Sequence, residues 1–261
     1  VTIWARFEKD GIASYGVVED AQITRVDGSP FGAYRLTSAK VRLDSVRLLF
    51  PVLPGVFYAA GVNYRDHVAK YNAAYGTSHK VWTKVDIGYR ANNALIGQDA
   101  AIVRPRDAGK QFDYEGELVV VIGKKARNVP KEKALEYVFG YTIGNDVSVR
   151  EWQSCDRTLW RAKNADTLKP MGPWIVTDLD LGSMWTTVRL NGRQVEHFKT
   201  DTMVFDVPTM ISAISEHCTL HPGDVLWCGT DGLPLNMNEG DLVEIEISGI
   251  GVLRNAVVAA A

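Results

Sequence analysis

The sequence predicts an α+β fold dominated by a mixed sheet or β-roll, on three observations. Short runs of β-branched and aromatic residues recur along the whole chain, broken by clusters of Gly, Pro, Asn and Asp. Helical windows are few: 131–137, a turn over 147–153, and a stretch from 207 or 208 to 216, with Pro208 acceptable in its first turn. Asn191-Gly192 separates two alternating stretches, 185–190 and 194–198, and this is a strong hairpin signal.

Length and composition set the bounds. A chain of 261 residues suffices for one large domain, or a large domain with a small one. With 46% hydrophobic and 23% charged residues it is an ordinary globular composition, which excludes intrinsic disorder. A net charge of −2 leaves no basic footprint, so neither nucleic acid nor a membrane surface is expected as a partner. Cys155, Cys218 and Cys228 are odd in number and lack C-x-x-C spacing, which argues for a reducing compartment and against a zinc site. There is neither an eighteen-residue apolar span nor a signal-peptide pattern, and a soluble, cytoplasmic protein is expected.

Taken in order, 3–7, 13–18 and 23–26 are strand candidates with polar turns between them. A Pro-punctuated connector follows, placing a boundary near residue 45 between a small N-terminal β-rich segment (1–45) and a main domain (46–261). The apolar stretch 56–61 reads as a buried strand that delivers Val62-Asn63-Tyr64-Arg65-Asp66-His67 at its end. His67 taken singly has an ordinary hydrogen-bonding role as its default. Residues 68–89 are polar, weakly periodic and carry Tyr71, Tyr75, Trp82 and Tyr89, and they read as a mobile lid.

Asp113-Tyr114-Glu115-Gly116-Glu117 then feeds into Leu118-Val119-Val120-Val121-Ile122, a buried strand. Alternation puts Glu115 and Glu117 on one face, with Gly116 leaving the other face bare between them. Two like charges at the mouth of an apolar strand are costly to desolvate unless a cation lies between them. A further strand, 138–144, ends in Asn145-Asp146, and a third carboxylate there completes an all-oxygen site suited to Mg²⁺, Mn²⁺ or Ca²⁺. Pattern alone leaves open the alternative that the Glu115/Glu117 pair faces solvent from an edge strand. Beyond Asp146, Arg150 and Gln153 share a helical face directed at the same end. Lys163 is a notable cation in the polar loop 160–166, which turns into a strand over 170–176. Strands at 225–229 and 242–247, flanking a loop at 230–234, complete the sheet-rich C-terminal third.

These residues together resemble the fumarylacetoacetate hydrolase superfamily from about residue 45 to 258. The resemblance rests on Gly61-Val62-Asn63-Tyr64-Arg65-Asp66-His67, Tyr114-Glu115-Gly116-Glu117-Leu118, Asn145-Asp146-Val147-Ser148-Val149-Arg150, and Pro170-Met171-Gly172-Pro173-Trp174. It continues in Leu220-His221-Pro222-Gly223-Asp224-Val225, Gly229-Thr230, and Gly249-Ile250-Gly251-Val252-Leu253-Arg254-Asn255. It implies a mixed β-roll and a homodimer, with Mg²⁺ or a similar cation on Glu115, Glu117 and Asp146. It further implies a 2-oxo acid substrate held by Arg150, Gln153 and Thr230, with Lys163 supporting the enolate and His67 activating water.

Two departures stand out. Many relatives read His-x-x-Glu where this chain has His67-Val68-Ala69-Lys70, and a lysine cannot accept the histidine's proton. Glu244 is one alternative source of the missing carboxylate, with a solvated strand position as its ordinary role. Relatives also commonly have Lys-Pro-x-Ser where Tyr89-Arg90-Ala91-Asn92 stands. The resemblance therefore implies a metal-dependent hydrolase of a C–C bond in a β-diketo acid. The alternatives are a decarboxylase or isomerase on the same scaffold, favoured by Lys70, or a non-catalytic binding protein.

Overall fold

The computed structural model describes residues 1–76, 78 and 80–261, and the α+β class holds. Among the described residues the strands form a twelve-stranded sheet, a five-stranded sheet and a two-stranded ribbon. The path of the large sheet runs through Tyr34–Arg42, Gln22–Gly28, Ile12–Glu19, Ile3–Lys9, Lys169–Val176, Val138–Asn145, Gly116–Ile122, Val225–Trp227, Phe57–Ala60 and Ile87–Tyr89. Most of its neighbours are antiparallel, while Val225–Trp227 and Phe57–Ala60 run parallel, so the sheet is mixed. The N-terminal meander joins it directly, because Ile3 and Trp4 pair with Val176 and Ile175.

The Gly116–Ile122 strand is buried along its whole length. Leu118, Val120 and Ile122 face one core cluster, and Val119 and Val121 face another with Phe57, Ile175 and Trp227. A strand covered on both sides reads as an unbroken apolar run, and this is why its signal was so plain in the sequence. Gly116 does leave a bare face. A Cβ there would meet Ile245 and Val188 at 3.1 Å each, so the five-stranded sheet closes onto the strand at the point where the carboxylates emerge.

Three sequence expectations need correction. The irregular lid over 68–89 is in fact helix α1 (Arg65–Tyr75) at its start and a strand, Ile87–Tyr89, at its end; Thr77 and His79 lie outside the described residues. Among its described side chains only Val68 is buried, and the helix ends on the left-handed Gly76, so little of an apolar stripe announces it. The helical turn expected from residue 147 starts only at α2 (Arg150–Gln153), because Ser148–Val149 bridge to Phe112–Asp113. Residues 131–137 wind as 3₁₀ turns. The strand Tyr34–Arg42 was missed because most of it is exposed and shows no apolar alternation.

Helix α3 (Val207–His217) forms where expected. Asp206 caps it by accepting from Thr209 N at 2.9 Å, and Val207, Met210, Ile211 and Ile214 turn inward. Among the described residues no helix is long and apolar enough to cross a membrane. Packing is tight beside the site, where a Cβ on Gly144 would come within 2.6 Å of the Trp227 indole. Gly144→Val should therefore destabilise the fold by about 1–3 kcal/mol through overpacking, lowering Tm in a calorimetric scan by roughly 3–10 °C.

Candidate active site

Adjacent strand ends bring the acidic residues together. Gly116–Ile122 and Val138–Asn145 pair with Gly116 opposite Asn145, so Glu115 and Glu117 leave one strand where Asp146 leaves the other. Two cross-bonds fix this register: Asp146 N donates to Glu115 O at 2.9 Å, and Glu115 N donates to Asn145 Oδ1 at 3.0 Å. One oxygen from each of Glu115, Glu117 and Asp146 lies within 4.8 Å of the other two, and all three residues are buried. The sequence-predicted triad is assembled, and the edge-strand alternative is excluded because both glutamates are buried.

Four cations surround the acids. Lys163 Nζ donates to Glu115 at 2.6 Å and to Asp146 at 3.1 Å. Arg150 lies 2.8 Å from Asp113 and 2.5 Å from Glu115, Arg90 is 2.9 Å from Asp146, and Lys169 is 2.7 Å from the other Asp146 oxygen. With all eight groups ionised, Asp113, Glu115, Glu117 and Asp146 balance Arg90, Arg150, Lys163 and Lys169.

Burial acts to raise the Glu115 carboxyl, but Lys163 and Arg150 outweigh it and bring the group down to about 2. For Asp146 burial is likewise overcome, by Arg90, Lys163 and Lys169, and the group lies well below its usual range. Burial pulls Lys169 down to about 8 despite Asp146, with Lys163 and Arg90 pulling the same way. Glu117 behaves oppositely. It has no ion pair among the described residues and accepts only the Gly229 N–H, at 2.7 Å, and burial with Asp146 and Glu115 as neighbours pushes it well up. A buried carboxylate cluster with one uncompensated member is what a hard cation would neutralise, so the donor set fits a divalent ion.

All the site residues expected from sequence line one cavity of about 280 Å³: His67, Glu115, Glu117, Asp146, Arg150, Gln153, Lys163 and Thr230. Arg150 and Gln153 do share a face of α2, with an Nη1 to Oε1 contact of 3.0 Å. The Thr230 hydroxyl donates to the Asp231 carbonyl at 3.2 Å, and its loop is joined to the floor by the Gly229 bond to Glu117. Asn63 holds this loop to the start of α1, since its side-chain amide donates to Cys228 O at 2.9 Å and to Phe205 O at 3.1 Å.

His67 projects from α1 with Nδ1 2.9 Å from the Gly232 carbonyl. A carbonyl can only accept, so Nδ1 carries the proton and Nε2 presents its lone pair. The orienting group is therefore backbone, in place of the relatives' glutamate. Lys70 lies 3.9 Å from Asp231 and steadies the same loop, whose Asp231 accepts from Gly232 N at 2.6 Å. Glu244 is not the substitute carboxylate: it sits in the Leu242–Ile247 strand between Arg189 and Arg254, outside the cavity.

The carboxyl behind this loop is Glu196, 9% exposed, with Oε1 lacking a hydrogen-bond partner among the described residues. A Cβ on Gly232 would come within 2.5 Å of it, and the left-handed backbone there (φ +88°) strains any other residue. Sequence reasoning missed Glu196, although alternation in the Arg193–Lys199 strand puts it in phase with buried Phe198. Asp113 and Lys169 were also missed as site residues, and Arg90, noted only as a departure, grips Asp146.

Two expectations follow. Burial pushes Glu196 up to about 8; Lys70 opposes this, and Asp231, Glu115 and Asp113 add to it. Because an unfolded glutamate loses its proton near 4.5, folding binds a proton between these values, and the associated stability is complete below about pH 4.5 and lost as pH rises through about 8. Glu196→Gln should flatten that decline and raise Tm at pH 9 by roughly 3–5 °C over the unmutated protein in parallel thermal melts. Glu117→Ala should abolish most divalent-cation binding seen by calorimetry, since two carboxylates leave too few protein oxygens for a hard cation.

Comparison with known proteins agrees with this geometry. Residues 56–258 match the family model described as fumarylacetoacetate (FAA) hydrolase C-terminal, and residues 4–51 match one described as Rv2993c-like, N-terminal. The structure of a 5-carboxymethyl-2-hydroxymuconate delta-isomerase from Mycobacterium smegmatis superposes with a TM-score of 0.90 at 35% identity, over 100% of both chains. A maleylpyruvate hydrolase from Sphingobium sp. SYK-6, solved with manganese(II) and pyruvate, gives 0.81 at 26% identity, again over 100% of both. The mitochondrial oxaloacetate tautomerase Fahd2a of Rattus norvegicus is 33% identical over 227 residues, covering 82% of this chain and 70% of the relative. With its family match spanning the whole acidic triad and the cavity around it, the chain belongs to the fumarylacetoacetate hydrolase family.

Proposed function

We propose that the protein is a divalent-metal-dependent hydrolase that cleaves the C3–C4 bond of a 2-oxo acid bearing a second carbonyl at C4. The observation that carries this reading is one cavity holding the acidic triad, three cations paired with it, and a histidine whose Nδ1 is engaged by a carbonyl, which leaves Nε2 to take a proton. The maleylpyruvate hydrolase with manganese(II) and pyruvate supports both the metal and the 2-oxo acid.

A cation held by Glu115, Glu117 and Asp146 would supply Lewis-acid polarisation of the 2-oxo group. The rest falls to the chain's own residues. Arg150 and Gln153 hold the substrate carboxylate at the wall of the cavity. His67 Nε2 removes a proton from water, and the hydroxide adds to C4. The C3–C4 bond then breaks, its electron pair passing to C3 as the enolate of the 2-oxo acid. Lys163 Nζ, already fixed by Glu115 and Asp146, places positive charge beside the enolate oxygen without reorganising. The imidazolium returns its proton to C3, and the second product leaves as a carboxylic acid.

A second reading, isomerisation or tautomerisation, is favoured by one observation: His67 is oriented by a neutral carbonyl rather than a carboxylate. The imidazolium formed on taking water's proton then gains no charge pairing from its orienting group, while moving a proton on and off C3 needs no nucleophilic water. The isomerase from Mycobacterium smegmatis and the rat tautomerase support this chemistry on the scaffold. Decarboxylation, the other alternative, likewise needs no activated water.

Product analysis with an acylpyruvate and with oxaloacetate, each with and without Mn²⁺ or Mg²⁺, separates these readings. Hydrolysis releases pyruvate and a carboxylic acid, decarboxylation releases CO₂, and tautomerisation changes enol absorbance with carbon skeletons intact. For a hydrolase, His67→Ala should lower turnover by about 10²–10⁴-fold with ligand binding retained. If Lys163→Ala costs more than His67→Ala, charge stabilisation limits the reaction and the second reading takes over.

A further inference from the structure

The cavity changes character from floor to rim. Glu115, Glu117, Asp146 and Lys163 at its floor are buried. Val62, Val68, Tyr71, Trp82 and Leu159 give its wall an apolar stretch, with Val62 37% and Trp82 59% exposed. We propose that the substrate is a 2-oxo acid whose distal group is uncharged and apolar, and that Leu159 is a specificity-determining residue for it. This rests on the 2-oxo acid reading above and names the part of the substrate that the reading leaves open.

Charge is the first argument. The cations among the described lining residues are Arg90, Arg150 and Lys163; Arg150 and Lys163 serve the substrate carboxylate and the enolate, and Arg90 is committed to both Asp146 oxygens. A divalent cation on the triad would add two positive charges, which the substrate carboxylate and the enolate oxygen together neutralise. Among the described lining residues no further Lys or Arg is left to pair with a second, distal carboxylate. The acid that does line the wall is Asp86, beside Gly61, and it repels one. Taking an unpaired carboxylate out of water against this wall is unfavourable, whereas an alkyl or aryl group gains from the same burial.

The backbone at Leu159 is the second argument. Leu159 has φ +56°, a left-handed conformation that disfavours a bulky side chain and suits Gly or Asn. The loop is built to hold it there. Leu159 N donates to Asp156 O at 2.9 Å, and Leu159 O accepts from Lys163 N at 3.1 Å and Asn164 Nδ2 at 2.9 Å. Asp156 in turn accepts from the N–H groups of Arg161 at 3.0 Å and Ala162 at 2.8 Å. One short loop thus delivers Lys163 to the floor and an isobutyl group to the wall, and it retains that group at a position where a smaller residue would relieve strain.

The test is competition binding to the Mn²⁺-loaded protein by calorimetry, using 2-oxo acids that lack a second carbonyl and are not cleaved. Phenylpyruvate and 4-methyl-2-oxopentanoate represent the apolar class, and 2-oxoglutarate represents the class with a distal carboxylate. We expect the apolar pair to bind about tenfold more tightly than 2-oxoglutarate in the unmutated protein, as burial of one small apolar group provides. In Leu159→Arg, where the wall gains an unpaired cation, 2-oxoglutarate should become the tighter ligand. Equal or tighter binding of 2-oxoglutarate to the unmutated protein overturns the inference and leaves the 2-oxo acid reading standing. Failure of all three to bind overturns that reading, and the inference with it. The comparison in the unmutated protein decides the matter even if the Leu159→Arg variant does not fold.

Discussion

Everything in this molecule is arranged around a buried, formally neutral knot of four carboxylates and four cations at the meeting of two strand ends. Isolated charges cannot be buried at such depth; they persist only when each is paired or ready to be paired. Asp146 receives Arg90, Lys163 and Lys169, while Glu115 receives Arg150 and Lys163. Those cations arrive from different parts of the chain: the end of the Ile87–Tyr89 strand, α2, the loop after it, and the first residue of Lys169–Val176. The knot thus draws otherwise separate segments to one point. Glu117 stays outside this pairing, and it is the member that gives the cluster its demand for one more positive charge.

The scaffold beneath the knot is correspondingly exacting. Gly116 admits Val188 and Ile245 of the second sheet, and Gly144 admits the Trp227 ring, so the strands that carry the acids are clamped from both faces. The histidine is held by different means. It stands on a largely polar helix and is aimed by a carbonyl of the Thr230–Gly232 loop, which Lys70 and Asp231 steady from outside and Glu196 supports from within. A rigid floor fixes charge while a separate wall, the helix and the loop that orients it, carries His67. The two are joined by the Gly229 N–H on Glu117 and by the Asn63 amide on Cys228.

How much of this the sequence disclosed follows from which interactions are local. The strand Gly116–Ile122 was legible because double-sided burial writes an unbroken apolar run, and the triad because two strand ends carry acids at fixed offsets. The hairpin Trp185–Lys199 was legible through Asn191-Gly192. Helix α1 was not, because its residues favour a helix by propensity while burying almost nothing, and periodicity is blind to that. Arg90 and Lys169 were not read as site residues, since each meets Asp146 across 56 and 23 positions of chain, and no local pattern encodes such a pairing. The missing lid carboxylate illustrates the same limit. The sequence shows that Lys70 cannot accept the histidine's proton, but only the fold shows that a backbone carbonyl orients His67.

The neutrality of the knot also bears on how the site discriminates between states of one ligand. With all eight side chains ionised, the site has no net charge of its own to offer, so the charge felt by a bound 2-oxo acid is set by the divalent cation the triad fits. A ground-state ligand with one carboxylate leaves one positive charge unmatched in a buried cavity. The enolate, carrying a second negative charge, matches it, and Lys163 is already fixed at the floor where that charge develops. On the proposed function, a site loaded with a divalent cation would be better matched to the enolate than to the keto acid, which is the condition for lowering a barrier rather than only tightening binding. Hydrolysis, decarboxylation and tautomerisation all pass through such an enolate. On the proposed function, one charge arrangement would serve all of these, and the histidine wall, not the floor, would be left to choose between them.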